Sequence, residues 1–149
     1  MTKVRVTKQF DFEMAHALWN YDGPCRNLHG HSYRLFVTVT GSPVNDRNSP
    51  KQGMVIDFGD LKKIVNETII KELDHAVLIS REVPEDHYKD MGPMLERLRV
   101  VDYQPTCENM IADFARQIIN RLPHGTELFS LRLHETATAY AEWFASDNP

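Results

Sequence analysis

Two long stretches of alternating apolar and polar residues lie in the first part of the chain. The first runs from Val4 to His16, and the second, from His29 to Val39, follows a loop rich in turn-forming residues. Alternation with a period of two predicts half-buried β-strands. In both strands the face that should be buried includes histidines, namely His16, His29 and His31.

Two later segments space their apolar residues as helices do. The first predicted helix begins at Asp57 or Gly59, after a turn-rich region, and ends near Leu73. The second begins behind Thr106, a natural N-cap, and ends in the segment 123–125, which contains proline and glycine. Their predicted buried sides are Leu61, Ile64, Val65 and Ile69 in the first helix, and Met110, Ile111, Phe114, Ile118 and Leu122 in the second.

Alternation returns near the end of the chain. A third predicted strand runs from Phe129 to Glu135, with both of these residues on its buried face, and a fourth runs from Tyr140 to Phe144. Short links inside each strand pair imply antiparallel hairpins. The predicted fold is therefore α+β in the order β-β-α-α-β-β, as one domain over residues 1–149. No structure is predicted for the charged connection from 81 to 99.

Composition narrows the range of partners. The 149 residues are 42% apolar and 26% charged, and 17 basic against 21 acidic side chains give a net charge of −4. This charge does not favour nucleic acid or anionic lipid, and no segment approaches the roughly 20 apolar residues of a membrane helix. With Cys25 and Cys107 as the only thiols, a reduced, cytoplasmic location is expected. A small ligand or a protein partner is favoured.

The three inward histidines predict a metal site. His29 and His31 share one strand face, and a hairpin would place His16 alongside them. Three imidazoles about 2 Å from one centre leave one position of a tetrahedral Zn²⁺ open, which is typical of catalytic sites. A lone inward histidine is commonly a core residue bonded to a neighbour. Three unpaired imidazoles would each cost about 1–3 kcal/mol, however, and a metal removes that cost.

Two further positions suggest proton transfer but leave alternatives open. Cys25 lies four residues before His29, so it is a fourth metal ligand, a thiol working beside the metal, or an inert loop cysteine. Asp74 and His75 directly follow the first helix. There they either interact with the carbonyl end of the helix or act as an acid–base pair.

The predicted substrate-binding residues are Glu135, Thr106 and Glu108. The carboxylate of Glu135 points towards a buried face, where it either pairs with a cation or accepts the two parallel N–H groups of an aminopyrimidinone ring. Glu108 either stabilises the helix start or contacts the ligand. Cys107, at the same helix start, is expected to pack in the core rather than to have a lowered pKa.

Six motifs together resemble the family of 6-pyruvoyl-tetrahydropterin and 6-carboxytetrahydropterin synthases. They occur in the family's order and approximate spacing, and they are FDFEMAH, CRNLHGH, MVIDFGDLK, LDHAVL, PTCEN and HETATAYAEW. The resemblance implies the tunnelling fold, in which each subunit has a four-stranded antiparallel sheet with two helices on one face. It also implies a homohexamer, built from two trimers, with active sites at subunit contacts.

The resemblance assigns roles to individual residues. His16, His29 and His31 match the family's zinc ligands, and Cys25 matches its catalytic cysteine. Asp74 and His75 match the partners in proton transfer, and Glu135 matches the carboxylate that anchors the pterin. These lie in the motifs CRNLHGH, LDHAVL and HETATAYAEW or at the end of FDFEMAH.

The CxxxHGH form of the second motif looks like that of the bacterial 6-carboxytetrahydropterin synthases of queuosine biosynthesis. The implied reaction converts 7,8-dihydroneopterin triphosphate to 6-carboxy-5,6,7,8-tetrahydropterin and releases acetaldehyde and triphosphate. The alternatives are a pyruvoyl-forming enzyme of the same family, which keeps the elimination without the side-chain cleavage, and a non-catalytic protein that binds zinc and pterin.

Overall fold

The chain forms one mixed β-sheet with two helices packed on the same face. The computed structural model describes residues 2–149. Within that range the strands are β1 Val4–His16, β2 His29–Gly41, β3 Ala76–Ser80, β4 Leu98–Val101, β5 Thr126–His134 and β6 Tyr140–Phe144. The first helix combines α-helical Phe58–Val65, a π turn at Asn66–Ile70 and a last turn at Lys71–Leu73, and the second helix covers Cys107–Ile119.

The sheet described over residues 2–149 has six strands rather than the expected four, in the order β4-β3-β1-β2-β5-β6. Strands β1, β2, β5 and β6 form the expected antiparallel part. Strands β3 and β4 add a parallel part, and β3 pairs with β1 only over Met14–His16. The expectation was wrong because β3 and β4 are short and pair in parallel, across a connection that periodicity alone does not reveal.

The core lies between the helices and the face of β1 that ends in His16. Phe12 of β1 stacks on Tyr33 of β2 with ring centroids 5.0 Å apart, and it meets Phe114 of the second helix edge-on at 6.2 Å. His16 is 1% exposed on the same face, so the apolar core extends directly to the histidines. The predicted buried sides of both helices are confirmed, although Leu122 is only partly buried.

The predicted N-cap Thr106 is confirmed, and of the two predicted starts of the first helix, Asp57 is the one observed. The first helix begins directly after Asp57 and the second directly after Thr106, and each of these side chains accepts a backbone N–H of its helix. The second helix ends at Ile119, earlier than the predicted segment 123–125. A tight turn that Arg121 closes with a 2.9 Å backbone hydrogen bond leads the chain out of helical geometry.

The predicted burial of Phe129 was wrong. Pairing between β2 and β5 shifts by one residue between Thr38 and Val39, so the alternation of buried and outward-facing residues along β5 shifts by one position there. Leu128 is buried instead, and the Phe129 ring lies under the guanidinium of Arg5 at 3.7 Å. Such an irregularity leaves no mark in the alternation of a single strand.

The connection that had no predicted structure joins the two parallel strands. We call residues 81–97 the β3–β4 segment, and it contains 3-10 turns at Glu85–His87 and Gly92–Leu95. Two of the residues assigned to that connection, Leu98 and Arg99, belong to β4. Among residues 2–149, no helix is both long enough and apolar enough to cross a membrane.

Candidate metal centre and active site

The three histidines converge where β1 ends and β2 begins. His16 pairs with His29 in antiparallel register, and His31 lies two residues further along β2. Directly opposite residues in such a pair are about 5 Å apart, and residues two apart on one strand share a face. One nitrogen from each ring lies within 4.8 Å of the other two. The predicted convergence of these side chains is confirmed.

Two backbone carbonyls determine which ring nitrogens face the centre of the cluster. His16 donates from Nδ1 to the Pro105 carbonyl at 2.7 Å, and His29 donates from Nδ1 to the Asn27 carbonyl at 2.6 Å. Both rings therefore direct Nε2 inwards, and these two atoms are 3.1 Å apart. Two ligands about 2 Å from one tetrahedral ion would be roughly 3.3 Å apart.

Burial favours the neutral form of two of the rings. Desolvation lowers the pKa of His16 and of His31 below the usual 6.5, and the neighbouring His29 lowers both further. The carboxylate of Glu135 opposes these effects without cancelling them. Only a neutral imidazole has a lone pair to give to a metal, so both rings are in the ligand state near pH 7.

The donor set fits a divalent metal ion. Nε2 of His31 is buried, and no atom among residues 2–149 accepts or donates a hydrogen bond to it. A set of three imidazole ligands suits Zn²⁺, together with several other divalent ions. Within the described chain Cys25 is not part of the cluster, and it lies half-buried in the turn Pro24–Arg26. The closed arrangement with a fourth, thiolate ligand does not form in this structure.

Glu135 lies beside the histidines just after β5. Its Oε1 is 3.6 Å from Nε2 of His16 and 3.8 Å from Nε2 of His31, and its side chain is 28% exposed. The backbone N–H of Glu135 donates to the Ala139 carbonyl at 3.1 Å, which closes the turn into β6. The carboxylate is therefore held at the mouth of the cluster, where a ligand can reach it.

The side chains of Asp74 and His75 contact each other just after the first helix. Oδ1 of Asp74 is 3.1 Å from Nδ1 of His75 and also accepts the backbone N–H of Glu13 at 2.9 Å. The bond from Glu13, and to a smaller extent His75, lowers the pKa of Asp74. Because Nδ1 faces the carboxylate, Nε2 of the exposed His75 ring is free to exchange protons. Within residues 2–149, no hydrogen bond joins Cys25 to this pair.

Thr106 and Glu108 lie close to the cluster because they follow Pro105, whose carbonyl binds His16. Oγ1 of Thr106 accepts the backbone N–H of Asn109 at 3.2 Å, so in this structure the hydroxyl caps the second helix. Glu108 is exposed in the first turn of that helix, where a carboxylate is favoured by the helix dipole and remains accessible to a ligand.

Cys107 packs in the core, as expected. Its thiol donates to the Leu133 carbonyl at 3.2 Å. Burial raises the pKa of this thiol to about 11, so it is protonated and unreactive near neutral pH. Of the two cysteines, Cys25 is the less buried.

Sequence reasoning missed three groups that shape the cluster. The carbonyls of Asn27 and Pro105 orient two of the rings, and a backbone carbonyl has no sequence signal of its own. Tyr33 packs with its ring centroid 5.6 Å from that of His31 and 6.2 Å from that of His16. Its signal was present, because it follows His31 by two residues on the same strand face.

Comparison with known proteins identifies the family. The family model described as 6-pyruvoyl tetrahydropterin synthase matches residues 5–146. The chain belongs to this family. A 6-carboxy-5,6,7,8-tetrahydropterin synthase from Haemophilus influenzae is 36% identical to it over 141 residues, which cover 93% of this chain and 97% of the relative.

A more distant relative agrees with the family membership, and a solved structure agrees with the fold. A protein of the same name from Aquifex aeolicus is 29% identical over 164 residues, covering 95% of this chain and 98% of the relative. The solved structure of Caenorhabditis elegans 6-pyruvoyl tetrahydropterin synthase superimposes with a TM-score of 0.69 at 22% identity, covering 97% of this chain and 96% of that one. The family expected from the six motifs is therefore confirmed, and so is its general fold.

Proposed function

We propose that this chain is a zinc-dependent 6-carboxy-5,6,7,8-tetrahydropterin synthase. It would convert 7,8-dihydroneopterin triphosphate to 6-carboxytetrahydropterin, releasing acetaldehyde and triphosphate, in the cytoplasmic pathway to queuosine. The observation that carries this proposal is the convergence of three imidazoles beside an accessible carboxylate, in a chain 36% identical to a relative of that name.

In this proposal His16, His29 and His31 hold the zinc ion. When bound, the ion supplies Lewis-acid polarisation of the substrate's side-chain oxygens and makes neighbouring C–H groups more acidic. Glu135 accepts the N–H groups of the pterin ring. Since its Oε1 is 3.6 Å from Nε2 of His16, a ring held by this carboxylate extends its side chain over the histidine cluster.

Proton transfer is assigned to Cys25 and His75. Asp74 holds Nδ1 of His75 at 3.1 Å and so keeps Nε2 of the same ring available as base and acid. Cys25 lies in the turn Pro24–Arg26, between β1 and β2, and is half-buried. Thr106 and Glu108 complete the proposed substrate contacts at the start of the second helix.

We also propose that the protein assembles into a hexamer of two trimers, with sites at subunit contacts. Two strand edges support this assembly. β6 is the last strand of the sheet, so its outer edge has no partner strand within residues 2–149, and β1 pairs with β3 only over Met14–His16. Such edges present backbone N–H and C=O groups that a second copy can pair.

The proposal is tested by incubating the zinc-loaded protein with 7,8-dihydroneopterin triphosphate and measuring pterin products and acetaldehyde by chromatography and mass spectrometry. Carboxytetrahydropterin with equimolar acetaldehyde is expected, and Cys25→Ala should abolish it. Cys107→Ala is the matched control, because that thiol is buried and protonated, and it should retain turnover.

Two other outcomes would overturn the proposed activity. A pyruvoyl product without acetaldehyde would assign the sister reaction of the family. Binding of zinc and pterin with no turnover would assign a binding protein, and in that case the Cys25 thiol should be protected from alkylation by the bound metal.

A further inference from the structure

The β3–β4 segment ends in an arginine that reaches back to the end of the first helix. The guanidinium of Arg97 donates to three backbone carbonyls there: Lys71 at 2.7 Å, Asp74 at 3.1 Å and Glu72 at 3.3 Å. The last carbonyls of a helix have no partner within the helix, and a cation at this end also interacts favourably with the helix dipole. Arg97 is half-buried, so these bonds are partly shielded from water.

The helix ends in a conformation that is unfavourable for its sequence. His75 has φ of +62°, in the left-handed region, at a position where helices commonly use glycine. For a residue with a Cβ this conformation costs roughly 1–2 kcal/mol. A strained residue of this kind persists only where its surroundings hold it, and such residues concentrate at functional sites.

The peptide group between Asp74 and His75 is held at both ends. Its carbonyl oxygen, on Asp74, accepts from Nε of Arg97 at 3.1 Å. Its N–H, on His75, donates to the Glu13 carbonyl of β1 at 2.6 Å. The orientation of this peptide plane determines the direction of the Cα–Cβ bond of His75, and therefore whether Nδ1 of its ring reaches the Asp74 carboxylate.

We propose that Arg97 is a positioning residue for His75. By fixing the Asp74 carbonyl, it holds the Asp74–His75 peptide in the orientation that pairs Nδ1 with the carboxylate and leaves Nε2 free for proton transfer. The β3–β4 segment thereby contributes to the reaction, because its last residue is Arg97, which positions His75. The inference rests on the proposed function for its kinetic consequence, whereas its structural consequence is independent of turnover.

Arg99 provides a matched control two residues further along the chain, in β4. Its Nε donates to the Glu72 carboxylate at 3.2 Å, so it also lies at the end of the first helix. It has no bond to Asp74 or His75. Replacing Arg99 therefore removes a similar charge from the same helix end but leaves the peptide plane in place.

The kinetic test compares Arg97→Ala with Arg99→Ala in the zinc-loaded enzyme. Arg97→Ala should lower kcat about 10- to 100-fold with KM changed less than about threefold, because misplacing a proton-transfer group affects the transition state more than binding. Arg99→Ala should stay within about twofold of wild type. In a His75→Ala background, Arg97→Ala should have no further effect on kcat, since its target is absent.

The structural test uses the imidazole ring directly. Long-range ¹H–¹⁵N spectra of the metal-free protein report which nitrogen of His75 carries the proton. We expect mostly Nδ1–H in wild type and Arg99→Ala, and a mixture of tautomers in Arg97→Ala. Zinc content should be unchanged in all variants, because the histidine cluster lies on β1 and β2.

The outcomes separate the two hypotheses. If wild type shows no turnover but Arg97→Ala alters the His75 tautomer, the positioning role stands and the proposed activity fails. An unchanged tautomer or an unchanged kcat in Arg97→Ala would overturn the positioning role. If Arg97→Ala does not fold, Arg97→Lys decides the question. A lysine ammonium cannot make all three of the carbonyl hydrogen bonds that the guanidinium makes. The Arg97→Lys variant should therefore show the same tautomer change to a smaller extent.

Discussion

Thr106 offers a direct test of how the second helix supports the histidine cluster. Replacing it with alanine removes the oxygen that accepts the Asn109 N–H at 3.2 Å. An N-cap of this kind contributes about 1 kcal/mol, within a range of roughly 0.5–2. With about 2.1 cal/mol/K of unfolding entropy per residue, the 149-residue chain loses roughly 0.3 kcal/mol per degree, so Tm should fall by about 3 °C.

The same substitution should reach the metal site through the backbone. The Pro105 carbonyl, one residue before Thr106, accepts from Nδ1 of His16 at 2.7 Å. A loosened helix start weakens this orienting bond, and we expect zinc affinity to fall by up to about 10-fold, the lower end of the usual effect of groups that orient metal ligands.

The assay is urea and thermal unfolding of the metal-free protein at one fixed protein concentration, followed by zinc titration. Thr106→Ser keeps the accepting oxygen and is the control, so its stability and its zinc affinity should match wild type. If alanine leaves Tm unchanged, or if serine destabilises as much as alanine, the capping argument is refuted.

Three other predictions follow from the site and the core. Zinc at about 100 times its Kd should stabilise the metal-free protein by about 2.7 kcal/mol in thermal melts, and His29→Ala should remove this effect. The bond from Glu13 lowers the pKa of Asp74, so the carboxylate stabilises the fold above pH 3.8 and loses this effect as pH falls through its folded pKa. Urea unfolding between pH 2.5 and 5, as approximate limits, should therefore show a flatter profile for Asp74→Asn than for wild type. Phe114→Ala should cost about 3–5 kcal/mol in urea unfolding, because the ring is 1% exposed; a loss below about 1 kcal/mol would contradict this packing.

Much of the fold was predictable because local patterns decide it. The bounds of β1 and β6 were predicted at the observed residues, and Thr106 is the predicted N-cap of the second helix. Asp57, one of the two predicted starts of the first helix, is its N-cap. The candidate site was predictable for a similar reason. Histidines two apart on one strand must share a face, and a hairpin brings a third from the neighbouring strand.

The rest depended on pairing between distant segments. Strands β3 and β4 are short, and they pair in parallel across residues 81–97, while β3 also pairs with the distant β1. The shift between β2 and β5 that turns Phe129 outwards arises from the register of two strands together. Arg97 binds the Asp74 carbonyl at the end of the first helix, although the two residues are 23 positions apart in the sequence. Local periodicity does not reveal such contacts.

The amino-acid sequence by itself determined the four antiparallel strands, the two helices, most of their buried faces and which residue types meet at the histidine cluster, since these follow from periodicity and side-chain chemistry. Only the tertiary structure decided how the rings are oriented, because that depends on the carbonyls of Asn27 and Pro105. It likewise decided that Cys25 stays outside the cluster and that His75 is held in a strained conformation. Orientation and strain arise from backbone groups that every residue carries, so they become visible only when the chain is folded.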